Sequence, residues 1–427
     1  MLFAWQLRTI DIIRYWSLGF VPLAVVLFVL PCRMRVRHQA RWIMFLLLCG
    51  IKGIVYEQFG GDAMAPDLPE GLIWFWNWLD DGLFFLVLLS LVWWVRRGRA
   101  WILPAVAWGV ALWGQLCGTV VPPVHEVELE FPNLPAELDG YRIVQVSDLH
   151  CSSAARRWRT QAVVDRVNGL DADLVCLTGD YVDGLVRNLA DDLAPLTALR
   201  AKDGVCCVRG NHEYYADKYA WRDWYEENGL RMLVNECVFP RKGLAVGGVN
   251  DDISAKRFGD EAADVDKTFA AATNGEFRIL LEHRPIYAYT NLVVHKVDLQ
   301  LSGHTHGGVA PLVDRVVASR NCGYVRGIYR IDGRVLYVSP GCGQWVGFPM
   351  RFFIPSEIAL ITLRKEIHHD DKAGDAAGGA DCRSGVGQLP FDSFATHDHC
   401  HPNDYGAPFM GKVYAAAVGR ILGSTAK

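Results

Sequence analysis

The sequence has no long basic block and little net charge. Its 43 Lys and Arg against 47 Asp and Glu leave a formal charge of −4 over 427 residues, so nothing in it favours a nucleic-acid partner. Charge of either sign is scarce, at 21% of residues, whereas Trp is abundant, at 15. That balance is low in charge for a soluble enzyme, and the length exceeds what one compact domain usually needs. The apolar excess is concentrated before about residue 122.

This first part also lacks the polar face of period 3.6 that marks the helices of a soluble bundle. Four apolar runs, 15–32, 42–60, 71–95 and 101–121, come near the roughly 20 residues of a membrane-spanning helix. Trp5, Trp16, Trp74, Trp76, Trp78, Trp93, Trp94 and Trp101 fall near their ends, where amphipathic rings favour the lipid–water boundary. The loop GGDAMAPDLPEG has no basic residue, whereas the flanking loops carry Arg33, Arg35, Arg37 and Arg41, and Arg96, Arg97 and Arg99. Positive loops stay in the cytoplasm, which places the N-terminus and everything after residue 121 on the extracytoplasmic side of a multi-pass cell-membrane protein. No small-x-small site follows the first run, so it is not read as a cleaved signal.

Lys52, Glu57, Asp80 and Asp81 interrupt these runs. Charge inside a bilayer is costly and usually paired, and a pair between Lys52 and one of the two aspartates is one reading. The expectation is the other: the third helix starts near Gly82, WFWNWLDD lies along the outer surface, and its acids are wet.

From residue 123 to about 365 the pattern becomes α/β. HEVELEF alternates as a half-buried strand does, and residues 141–146, 174–177, 205–208, 244–249, 277–281 and 299–301 read as further strands. Helical spacing covers 159–170, 187–199 and 221–228, and GIYRI, RVLYVS and EIALITL close the region with strands. Such alternation argues a sheet covered by helices, with a site at the strand carboxyl ends. Five apolar runs end in Asp, Asn or His: VQVSDLH in Asp148 and His150, VCLTGD in Asp180, CCVRGNHEYY in Asn211 and His212, RILLEHRP in His283, and LQLSGHTHGG in His304 and His306. Turn chemistry explains one such ending readily, but not five.

These residue types fit two metal ions. Residues i and i+2 of an extended segment point the same way, so Asp148 and His150 can share one ion. His304 and His306 can likewise reach two neighbouring ions, and Asp180 has two oxygens with which to bridge them. Asn211 supplies a neutral oxygen and leaves His212 free for another task. Two divalent cations against two carboxylates and a hydroxide leave residual positive charge, which suits an anionic phosphate. The mixed oxygen and nitrogen set admits Mn, Fe or Zn.

The motifs SDLH, LTGD, GNHEYY, LEHRP and GHTHGG, in that order and spacing, resemble the calcineurin-like metallophosphoesterases over residues 141–364. With the apolar N-terminal part and SPGCGQWVGFPMRFFIPSEIALITL, the chain is similar to their membrane-anchored members. The resemblance implies a two-sheet sandwich flanked by helices. It implies one metal site of Asp148, His150, Asp180 and His306, and a second of Asp180, Asn211, His283 and His304. His212 would hold the substrate phosphate or protonate the leaving oxygen. Val309 stands where relatives often carry Gln. Arg284 is a weak candidate for touching substrate phosphate, with a solvent-facing position expected.

The expected activity is metal-dependent hydrolysis, most simply of a phosphodiester, by a hydroxide bridging the ions, with His212 as general acid. A lipid-linked phosphate ester or pyrophosphate suits a site beside a bilayer. A phosphomonoesterase and a non-catalytic membrane sensor of a phosphorylated ligand are the alternatives. Nine of the 12 cysteines follow residue 121, and an extracytoplasmic location would permit disulfides. Cys206 and Cys207 read as core, and Cys151, next to His150, as a thiol near the metals but not a ligand. The tail, 366–427, reads as disordered. Within it, THDHCHPND is an alternative metal site through His397, His399, Cys400 and His401, and 414–422 could make a short helix.

Overall fold

The computed structural model describes residues 17–32, 34–61, 66–96, 102–215, 217–347 and 349–366. The readings for residues 1–16, for Trp101 and for the tail beyond residue 366 fall outside them. The first part is helical: α1 (Ser17–Val29), then α2 (Val36–Gly50), α3 (Lys52–Gly60), α4 (Glu70–Arg96) and α5 (Leu103–Thr119). Ala24, Phe28, Leu46, Leu83, Leu86 and Ala107 bring α1, α2, α4 and α5 onto one apolar interior. Each of the four apolar runs therefore forms helix, but they differ in length. Over Glu70–Trp93, α4 is long and apolar enough to cross a membrane by itself, and α2 with α3 qualifies only as one span bent by 49°. The break falls at Ile51, where ψ opens to 9°. Helix α5 stops after 17 residues because Val120 turns extended and leads into the first strand.

The two aspartates are a correction. Helix α4 starts at Glu70, not near Gly82, and Asp80 and Asp81 are buried. Lys52 Nζ lies 2.5 Å from Asp80 Oδ2, and Gln115 Nε2 donates to Asp81 Oδ2 at 3.0 Å. The partners come from α3 and α5, so the stretch WFWNWLDD does not by itself reveal that its acids can be buried. Once partnered, they leave no reason for the helix to begin later.

The remainder forms two sheets from eleven described strands: β1 (Val124–Phe131), β2 (Arg142–Val146), β3 (Leu174–Leu177), β4 (Val205–Cys207), β5 (Glu236–Arg241), β6 (Leu244–Gly248), β7 (Phe277–Leu281), β8 (Leu299–Ser302), β9 (Gly327–Ile331), β10 (Arg334–Val338) and β11 (Ile358–Lys365). The orders are β1-β11-β2-β3-β4 and β5-β6-β7-β8-β10-β9. Side chains alternate between two destinations, as the pleat requires. Ile143, Cys176 and Ile361 of the first sheet meet Val246, Ile279 and Leu299 of the second in the central core. Val144, Val175 and Cys207 face outward onto α6 (Arg157–Asn168), α7 (Val186–Leu193) and, past the short α8 (His212–Tyr215), α9 (Lys218–Glu227). Ala245 and Leu280 face the other way, onto Val265 and Phe269. The short α11 (Val265–Thr268) lies on that side, α10 (Ile253–Phe258) packs against α8 through the Phe258 and Tyr214 rings, and α12 (Val313–Arg320) follows β8. Periodicity misses β5, which is an edge strand containing Pro240, and the four helices α8, α10, α11 and α12.

Strands β2, β3 and β4 run parallel, as do β6, β7, β8 and β10. Their carboxyl-end loops therefore gather at one end of the sandwich. That end faces the helical part. Asn77 of α4 donates to the Val346 carbonyl at 3.3 Å, and the buried Arg159 joins the carbonyls of Gly118 (3.1 Å) and Cys342 (2.9 Å). Gly114 of α5 admits the Phe352 ring, which a Cβ at that position would overlap.

Candidate metal centre

The structure brings the predicted ligands together in two groups: Asp148, His150 and His306, and Asp180, His283 and His304; a further group joins His150 to Asp183 and His212. In the first, His306 Nε2 is 3.6 Å from Asp148 Oδ1 and 3.1 Å from His150 Nε2. In the second, His283 Nε2 is 3.1 Å from Asp180 Oδ2. That same oxygen lies 3.9 Å from His150 Nε2, so Asp180 stands between the groups, as a bridging carboxylate must. His304 lies in the second group and His306 in the first.

The route to convergence differs from the expected one. Asp148, His150, Asp180, His304 and His306 all have positive φ, between 48° and 70°, so these segments are not extended. Each turns through the left-handed region, which costs a non-glycine residue on the order of 1–3 kcal/mol and persists where surrounding structure fixes it. Several contacts fix it here. Ser147 Oγ donates to Asp148 Oδ2 at 2.6 Å, and the His304 backbone N–H donates to the Asp148 carboxylate at 3.1 Å. Gly210 lies so close to Asp180 that a Cβ there would run into its carboxylate.

Three positioning residues went unassigned in the sequence. Asp183 Oδ1 accepts from His150 Nδ1 at 2.9 Å and from His212 Nδ1 at 2.6 Å. Its only local signal is a second aspartate three residues after Asp180. The fully buried Glu213 accepts from the backbone N–H groups of Asp180 (3.0 Å), Tyr181 (2.6 Å) and Gly210 (2.7 Å), tying the loops after β3 and β4 together. Arg351, also buried, donates to the carbonyls of Pro340 (2.6 Å), Gly343 (2.9 Å) and His306 (3.4 Å). Each lies inside or near a quoted motif, but its partners are distant in sequence.

The donor set fits divalent cations. Asn211 Oδ1 is buried without a hydrogen-bond partner, and such an orphan is expected only where something else satisfies it. His283 Nδ1 donates to the Thr178 carbonyl at 2.7 Å, which directs Nε2 towards Asp180 Oδ2 and into the second group. Burial, then Arg284 and His283, hold His304 well below the ordinary histidine range, and burial and His150 do the same for His306. Both rings are therefore neutral and able to ligate at neutral pH. Burial alone would raise Asp180, but His283 and His212 beside it hold its carboxyl well below the usual range. Burial would lower His212, yet Asp180 and Asp183 raise it to about 9.

Arg284 is neither solvent-facing nor free. Its Nε pairs with Asp251 Oδ2 at 3.0 Å, at the margin of the second ligand group. Cys151 is buried, and burial pushes its thiol up to about 12, so it is no thiolate ligand at neutral pH. Among the described residues, Cys32, Cys49, Cys117, Cys151, Cys176, Cys206, Cys207, Cys237 and Cys342 are free thiols. Cys206 and Cys207 are core residues, as expected.

The comparisons with known proteins agree. The family model for calcineurin-like phosphoesterases matches residues 141–308. A metallophosphoesterase of Aquifex aeolicus is 33% identical over 244 residues, covering 56% of this chain and 91% of its own. One from Helicobacter pylori strain J99 is 34% identical over 248 residues, covering 58% and 65% respectively. A transmembrane protein with metallophosphoesterase domain from Danio rerio is 34% identical over 268 residues and covers 60% of each chain. The chain belongs to the calcineurin-like metallophosphoesterase family. It spans less than two thirds of the length of the Helicobacter and Danio proteins.

Proposed function

We propose that the chain is a membrane-anchored, metal-dependent phosphohydrolase acting on phosphodiesters, with a dinuclear centre held by Asp148, His150, Asp180, Asn211, His283, His304 and His306. The observation that carries this reading is the pairing of two ligand groups across Asp180 with His212, a proton donor, alongside: its Nε2 lies 3.9 Å from Asp180 Oδ2. When bound, two divalent cations supply Lewis-acid neutralisation of phosphoryl charge and a nucleophile at neutral pH.

The chain's own residues do the rest. Asp183 fixes the tautomer and direction of the His212 ring, and the two aspartates beside that ring keep it protonated. His212 can then deliver a proton to the departing ester oxygen, the role of a general acid. A cavity of about 320 Å³ opens beside His304 and His306, lined by Val309, Val316, Val317, Gln344 and Trp345 together with Arg320. That largely apolar lining suits an ester substituent, which supports a diesterase. Helices α1 to α5 are the membrane region in this reading. The apolar length of α4 and the Danio relative's name support membrane association, and the Arg-rich loops support a multi-pass arrangement with the sandwich on the extracytoplasmic side.

Hydrolysis of bis(p-nitrophenyl) phosphate and of p-nitrophenyl phosphate tests the activity. Turnover of the diester should be lost on chelation, return with Mn²⁺, and exceed turnover of the monoester. Asp180→Asn and His304→Ala should abolish it in folded protein with reduced metal content. Full turnover in either variant would remove this mechanism, and a preference for the monoester would assign a phosphomonoesterase.

A further inference from the structure

We infer that the substrate is an amphiphile: a phosphate ester whose apolar chain lies along the wall of Val309, Val316 and Trp345 and leaves towards α5 and the bilayer. The inference rests on the phosphoesterase reading above and adds the substrate class.

The first observation is α12. None of its eight residues is buried, and its apolar side chains face outward, with Val313 42% and Val316 63% exposed and Leu312, just before it, 70% exposed. A helix on a soluble domain ordinarily turns an apolar stripe inward. This one leaves its apolar residues open beside a cavity that ends at His304 and His306. Arg315 and Arg320 are also exposed on it, and apolar residues interleaved with Arg are the composition of a helix lying in a lipid interface.

The second observation is continuity with the helical part. Phe352 N donates to the Val309 carbonyl at 2.9 Å. Its ring meets Phe85 of α4 and Trp113 of α5 at centroid distances of 5.5 and 5.6 Å. Phe353, 78% exposed, stacks edge-on against Trp113 at 5.1 Å. Trp113, Leu112 and Leu116 of α5 are themselves 43%, 47% and 58% exposed. Exposed apolar side chains thus lie on both sides of the Phe352–Val309 link, Trp113 and Phe353 on one side and Leu312 and Val316 on the other. Val309, Leu312 and Phe353 all have positive φ, 53°, 74° and 60°. A bulky or β-branched residue rarely adopts that conformation, and such strain clusters at ligand sites. The occupant that fits a track with ligating histidines at one end and a membrane-helix surface at the other is a single molecule, polar at its phosphate and apolar beyond it.

The test uses the full chain in phosphatidylcholine nanodiscs with Mn²⁺ and two diesters, methyl and dodecyl p-nitrophenyl phosphate. Each methylene that leaves water for this wall should raise kcat/KM by about fourfold, so the dodecyl ester should be strongly preferred. Partitioning into the nanodisc contributes equally in every variant, so the decisive quantity is the change in the dodecyl-to-methyl ratio. Val316→Asp and, separately, Phe353→Asp should each lower that ratio at least tenfold. A diazirine-bearing methyl dodecylphosphonate, whose P–C bond to the chain is not hydrolysed, should crosslink to residues 309–320 or 345–353 in the wild type and much less in the variants.

An unchanged ratio in both folded variants, or crosslinks only elsewhere, overturns the inference while leaving the phosphoesterase reading intact. So does a change in particle mass on Val316→Asp without a change in ratio, which would assign the surface to a second copy of the chain. No hydrolysis of either ester by the wild type overturns both readings.

Discussion

Asp183 Oδ1 stands 2.6 Å from His212 Nδ1, and the same oxygen accepts from the ligand His150 at 2.9 Å. One carboxylate thus orients together the proposed general acid and a proposed metal-ligand imidazole. Its other oxygen accepts the Val346 N–H at 3.3 Å, while the Val346 carbonyl is held by Asn77 of α4. Asp183→Asn should lower turnover or metal affinity by roughly 10–100-fold, the usual cost of removing the partner of a metal-ligating histidine. Steady-state kinetics at saturating Mn²⁺, with metal content measured on the same sample, checks this. A loss below threefold in both would remove Asp183 from the site.

In the proposed mechanism His212 donates a proton rather than holding a cation, so its loss should be separable from loss of the ligands. His212→Gln should keep the metal content of the wild type and lower turnover by roughly 10²–10⁴-fold for an ester with a poorly leaving alkoxide. The loss should shrink for p-nitrophenolate, which leaves without a proton. A plot of rate against leaving-group pKa decides it: the variant's slope should be steeper than that of the wild type. Equal slopes would give His212 a phosphate-holding role instead.

Lys52 and Asp80 form a buried pair within the helical part. Lys52→Met strands the Asp80 carboxylate and should destabilise the folded chain by about 3–5 kcal/mol. The double variant Lys52→Met with Asp80→Leu removes both charges and should recover most of that loss. Thermal unfolding in detergent, followed by circular dichroism, measures both. If the single variant melts with the wild type, the pair does not contribute as described.

His125 Nδ1 lies 3.2 Å from Glu357 Oε2 on the outermost pair of strands, and Tyr337 donates to the other Glu357 oxygen at 2.7 Å. The hydrogen bond to Glu357 raises the imidazole above its ordinary value, against the opposing effect of burial. A pKa raised on folding adds stability that is complete below the unfolded value of about 6.5 and fades as pH rises through the folded one. The wild type should therefore lose more stability than His125→Gln between mildly acidic and mildly alkaline pH. The difference in Tm between the two proteins at each pH reads it, and a pH-independent difference would exclude the linkage.

Much of the site was legible along the chain because each ligand follows an apolar run. A strand that must be buried, then turn, then present a polar group leaves a local mark, and Asp148, Asp180, Asn211, His283 and His304 all carry it. The positioning groups leave none. Glu213 reads as one more acid in GNHEYY until the backbone N–H groups of Asp180 and Tyr181 arrive from another strand end. Arg351 reads as one cation in FPMRFFIP until five carbonyls surround it.

What the amino-acid order determined by itself was therefore the local chemistry: the apolar first third, the strand periods, and the metal-ligating residue types at strand ends. The tertiary structure decided which of these meet. It divided His304 from His306 between two ligand groups, bent five ligand residues through positive φ, and buried Asp80 against Lys52. It also left the apolar residues of α12 open beside the cavity at His304 and His306. The physical reason is the same in each case. Hydrophobic period and turn propensity act over a few residues, whereas partnering of buried charge and convergence on a cation depend on groups tens or hundreds of residues apart, brought within 4 Å only by the packed fold.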